Sequence, residues 1–163
     1  VVLSKDWAQR EDFLRELRAA YDRAPRRPVW YPQRDRKMAQ AESDYPDASH
    51  CGGGSRLLIE ADAGDAAALE TTEYFSPVLG VVTLPGLGQE FLDEAVGYAN
   101  ERLVGTLGGN VLIDPETRAA LGSEFERSVA DLRYGTDGSV TYRDVASVQP
   151  FANTIVTLTL TGA

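Results

Sequence analysis

One hundred and sixty-three residues make a domain of ordinary size, long enough to bury well over half of the unfolded surface without staples. A hydrophobic content of 43% beside 25% charged residues excludes a disordered or fibrous chain. Sixteen Lys and Arg against 25 Asp and Glu give −9, which argues against a nucleic-acid backbone or an anionic membrane as main partner, since each would be approached against net repulsion.

Short apolar runs alternate with amphipathic stretches, the order of an α/β protein. Val1–Leu3 is a β-type run. Trp7, Phe13, Leu14, Leu17, Ala20 and Tyr21 fall largely at three- and four-residue steps, so a helix is expected over Arg10–Arg23, ended by Pro25 and Pro28. Gln33–Glu42 is a second, more polar helix, and Cys51-Gly52-Gly53-Gly54-Ser55 a turn. Arg56–Glu60 reads as a strand and Ala61–Ala68 as an acidic surface loop. Val78–Leu84 is a strand of small and β-branched residues between prolines. Gln89–Arg102 is a helix whose Phe91, Leu92, Ala95, Val96 and Ala99 form a buried stripe, followed by a strand at Asn110–Ile113. Asp114 as N-cap and Pro115 as first residue open a helix running to about Arg133, loosened at Gly122. Gly138–Val145 and the alternating Thr154–Leu160 close the chain as strands. Strand–helix–strand order from Val78 to Ile113 predicts a parallel pair with a right-handed crossover.

Several motifs carry candidate chemistry. Gly86-Leu87-Gly88-Gln89-Glu90-Phe91 imitates a dinucleotide fingerprint, but Phe91 replaces the glycine that lets helix and strand pack closely, so a plain turn is expected. His50 and Cys51, the only His and Cys, point apart in an extended chain and are too few for a zinc site. A single Cys suits a reducing cytosol, and a cytoplasmic location is expected. Glu60, Asp62, Asp65 and Glu70 lack calcium-loop spacing and read as a solvated face. In Glu70-Thr71-Thr72-Glu73-Tyr74-Phe75-Ser76-Pro77-Val78 a carboxylate suited to gripping a vicinal diol precedes an aromatic ring that offers an apolar wall. By residue type alone, a surface acid and a core aromatic are the commoner outcome there.

Glu73-Tyr74-Phe75-Ser76-Pro77-Val78 resembles the Glu-x-Phe-Gly-Pro-Val signature of the aldehyde dehydrogenase superfamily, with Ser76 in place of glycine. Ala99-Asn100-Glu101-Arg102-Leu103-Val104-Gly105-Thr106-Leu107 and Asp114-Pro115-Glu116-Thr117 look like its later landmarks, and the resemblance covers roughly Val1 to Thr136. It implies an α/β fold with a mostly parallel sheet and flanking helices, residues 1–136 being part of the catalytic domain and 137–163 a divergent β-rich tail. It implies NAD or NADP as cofactor, with Glu73 on the nicotinamide ribose and Phe75 beside the ring. The implied reaction is oxidation of an aldehyde, a small-molecule substrate, to a carboxylic acid through a cysteine thioester.

No catalytic residue falls on this chain, since the family's nucleophile and cofactor half lie upstream. The chain also begins without Met, so its start is expected to be a cut and the piece inactive alone. No metal, nucleic acid or membrane is expected. A homo-oligomer joined through Thr154–Leu160 is expected in the intact protein. The alternatives are a non-catalytic interaction module and an independent nucleotide-binding domain using Gly86–Gly88.

Overall fold

The computed structural model describes residues 1–25, 28–105, 108–132 and 156–160. Their elements, in chain order, are β1 (Val2–Ser4), α1 (Arg10–Arg23), α2 (Arg34–Asp44), β2 (Ser49–Cys51), β3 (Arg56–Asp62) and α3 (Ala67–Thr71). There follow β4 (Val78–Leu84), α4 (Gly88–Glu101), β5 (Gly109–Ile113), α5 (Pro115–Leu121), α6 (Ser123–Ala130) and β6 (Val156–Leu160). The chain divides into two compact units, Ala8–Val82 and Val1–Trp7 with Thr83–Ala163. The class is α/β with flanking helices, and the strands pair both ways, so it is mixed rather than mostly parallel.

In the unit Ala8–Val82, α1 has the predicted bounds. Acids in its first turn and Arg23 in its last suit the helix dipole, and the Ala24 amide closes the final turn on the Ala20 carbonyl before Pro25. The opposite charge order opens α2, where Arg34, Arg36 and Lys37 crowd the first turn beside the single acid Asp35. β2 and β3 form an antiparallel hairpin in register Ser49↔Leu58, His50↔Leu57, Cys51↔Arg56. The turn between them is the glycine run, all three at positive φ. His50 and Cys51 were expected in a loop; they sit on β2, His50 outward and Cys51 buried, as the alternation of a strand requires. Ala41, Leu57, Ile59 and Tyr74 make the core of this unit, with Met38, Tyr45, Leu69 and Val78 packed around them.

One side chain ties α1 to the hairpin. Arg56 is only 8% exposed and donates from Nη1 to the Tyr21 carbonyl at 3.1 Å. Its Nη2 donates to the carbonyls of Ala24 and Pro25 at 2.6 and 2.8 Å. The Tyr21 and Ala24 oxygens lie in the last turn and C-cap of α1 and the Pro25 oxygen just beyond it, where the dipole is negative, so a buried cation caps the helix.

In the other unit, β6 lies between two parallel neighbours. Val2↔Leu158 and Leu3↔Thr159 join it to β1, and Gly109↔Val156 through Ile113↔Leu160 join it to β5. The expected β4–β5 pair is therefore corrected: β5 takes β6, while the end of β4 meets the segment after β1 through a Lys5 amide to Leu84 carbonyl bond of 2.8 Å. Of the edge expected at Thr154–Leu160, the described part, Val156–Leu160, has a partner strand on each side. The strand expected at Gly138–Val145 lies outside the described residues.

Helix α4 buries Phe91, Leu92, Ala95, Val96 and Ala99 as its spacing predicts, and Tyr98 as well. Asp114 caps α5, accepting from the amides of Glu116 and Thr117 at 3.0 Å each. The single helix expected to Arg133 is two: Gly122, at φ 57 and ψ −131, breaks it into α5 and α6. None of the described helices is long and apolar enough to cross a membrane.

Candidate functional site

Glu73 and Phe75 lie in the segment between α3 and β4, and Tyr74 between them fixes it. Tyr74 is 7% exposed within the core of Ala8–Val82, and its hydroxyl donates to Asp44 Oδ2 at 2.9 Å. Burial first, then that bond to an acid, raises its phenol above the ordinary range. With Tyr74 pointing in, both neighbours stand at the surface. Glu73 is exposed, and Phe75 is 42% exposed with its backbone in the left-handed region at φ 47. The core aromatic of this stretch is thus Tyr74.

An L-residue in the left-handed region costs roughly 1–2 kcal/mol, so the segment needs restraint. Ser76 supplies some, its Oγ donating to the Arg34 carbonyl at 3.0 Å at the start of α2. This bond joins the two loops and brings Phe75 onto Tyr31, ring centroids 5.0 Å apart and tilted by 41°. Tyr31 is 39% exposed and Trp30, the residue before it, 88%. The result is a set of aromatic faces open to water.

The other motifs resolve as packing. In the Gly86–Gly88 turn the Gly86 amide donates to Asp6 Oδ2 at 2.8 Å and its carbonyl accepts from Ser4 Oγ at 2.5 Å. A carboxylate already occupies the donor that a phosphate would need, and Phe91 is fully buried behind it. His50 Nε2 is 3.7 Å from Glu42 Oε1 on an exposed face. Burial leads the causes that raise the Cys51 thiol, which makes it a poor nucleophile. Of the four acids expected on a solvated face, Glu60 bonds Arg18, while Glu70 is buried on α3, which begins inside the loop expected at Ala61–Ala68. Among the described residues no group of three or more His, Cys, Asp or Glu side chains could hold a metal ion.

Two arrangements had no signal in the linear sequence. One is the Arg56 cap. The other joins α4 to α6: Gln89 Nε2 donates to Asp93 Oδ1 at 2.7 Å and to Ser128 Oγ at 3.0 Å, and Ser128 Oγ donates to Asp93 Oδ1 at 3.2 Å. This triangle ties α4 to α6 through side chains of both helices.

Residues 90–163, a little under half of the chain, match the family model described as "5'-nucleotidase, C-terminal domain". Neither a curated protein nor a solved structure matches the chain. The match overturns the resemblance to aldehyde dehydrogenases, because it claims the same Ala99–Leu107 and Asp114–Thr117 segments. Those landmarks include a helix end and a capped Asp-Pro helix start, devices that any α/β protein uses at such junctions. With the resemblance go the oxidoreductase activity, the aldehyde substrate, the thioester chemistry and NAD or NADP as cofactor. Glu73 and Phe75 lie outside the matched residues. Residues 90–163 are similar to the C-terminal domain of 5′-nucleotidases.

Proposed function

We propose that this chain is part of a 5′-nucleotidase-type hydrolase, with residues 90–163 serving as its C-terminal domain. The observation that supports this is that the matched segment falls within one compact unit, Val1–Trp7 with Thr83–Ala163: it starts inside α4 and takes in β5, α5, α6 and β6. A family domain should fall within such a unit, since a domain carries its own core.

The charge of the segment bears on its role. It holds eleven acids and five basic residues, a composition that does not favour it as the main holder of a phosphate monoester. Its place in the hydrolase is to complete and position the site, with the phosphate held by other residues of the protein. The test is phosphate release by the protein carrying this chain, offered nucleoside 5′-monophosphates and their 3′ isomers. Release from the 5′ esters with clear discrimination against the 3′ esters is expected. No release, or equal release from both, overturns the reading.

A further inference from the structure

Residues 23–37 hold six of the chain's sixteen basic residues and a single acid, Asp35. Arg23, Arg34 and Arg36 are exposed and Lys37 is half-buried. Among these cations stand Trp30 and Tyr31, and Phe75 comes from the second loop to pack on Tyr31. Aromatic faces left in water in a segment rich in positive charge complement one kind of ligand well, flat rings joined by anionic links.

We propose that this face of the unit Ala8–Val82 binds single-stranded nucleic acid. Bases stack on Trp30 and on the Tyr31–Phe75 pair, and phosphates meet Arg23, Arg34, Arg36 and Lys37. The net charge of −9 does not prevent this, because beyond roughly 8–10 Å charges are screened at physiological salt and the local cations decide. Duplexes are disfavoured, since paired bases hide the faces on which aromatic side chains stack. Glu73, exposed two residues before Phe75, is an acid that a bound phosphate would avoid. The site lies outside the segment similar to nucleotidases, and neither proposal rests on the other.

The probe is a labelled oligothymidylate of about ten nucleotides, followed by anisotropy and by tryptophan quenching. Binding is expected to weaken with salt at a log–log slope of roughly −2 to −3, the value for three or four single-strand phosphates. Trp30→Ala and Tyr31→Ala should each weaken it roughly tenfold, at the lower end of what one stacked base contributes. Arg36→Glu should weaken binding and flatten the slope. All three positions are exposed, and circular dichroism establishes that each variant keeps its fold.

Absence of binding at low salt overturns the proposal. So does equal binding of a duplex or of heparin with Trp30→Ala unaffected, which marks mere attraction of charge. A mononucleotide competing as well as the oligomer also overturns it, and assigns the face to single nucleotides.

Discussion

Arg56 carries its charge into the interior of Ala8–Val82 and gives it to three carbonyl oxygens at the end of α1. Arg56→Met removes the cation and strands those oxygens, and hydrogen bonds to a charged group contribute about 1.5–3 kcal/mol. A loss of roughly 2–4 kcal/mol is expected by urea denaturation. Arg56→Lys should recover only part, because an ammonium cannot span acceptors set for a planar fork. The same guanidinium sits 5.7 Å from the Tyr21 ring. Burial pushes the Tyr21 phenol up to about 12, with Arg56 opposing, and holds Tyr74 higher still. Unfolded tyrosine ionises near pH 10, so above that pH the unfolded chain sheds protons that the folded chain keeps. The stability the Tyr21 phenol contributes is complete below pH 10 and is lost as pH rises through about 12. Thermal melts between pH 9 and pH 12 should show a shallower alkaline fall in Tyr21→Phe than in the unaltered protein.

Elements with local signals were legible in the sequence, and α1 and β4 have their predicted bounds because prolines and apolar spacing mark them. Asp114 and Pro115 announced α5 in the same way. Asp114→Ala should cost about 1 kcal/mol and fray that helix, while Asp114→Asn keeps an acceptor and most of the stability; the fall in Tm separates them. Gly122 was read as a loosening and is a break. A Cβ there meets nothing closer than the Ala119 carbonyl at 4.0 Å, so Gly122→Ala is opposed by backbone conformation alone, by about 1–3 kcal/mol. Calorimetric melting of the variant checks it. What stayed illegible was non-local. The pairing of β6 with strands from both ends of its unit leaves no mark in a window of ten residues. The exposure of Phe75 depends on a left-handed backbone that phenylalanine does not advertise, and on a serine bond to a helix forty-two residues away in the chain. Residue identity located the Glu73–Phe75 loop, and short junction motifs then misdirected its interpretation.

At the scale of the molecule, one charge distribution predicts two opposite responses to salt. The excess of nine negative charges repels itself in the compact state, and screening relieves that repulsion. Raising sodium chloride from about 10 mM to about 150 mM shortens the Debye length from roughly 30 Å to 8 Å, so Tm should rise. Over the same range oligonucleotide affinity should fall, because it draws on Arg23, Arg34, Arg36 and Lys37 and not on the net charge. Arg36→Glu separates the two effects. It adds two negative charges to the total, which should steepen the gain in Tm with salt while flattening the loss of affinity. If both quantities moved in the same direction with salt, the cations would not act as a local field, and the aromatic face would have only its apolar surface to offer.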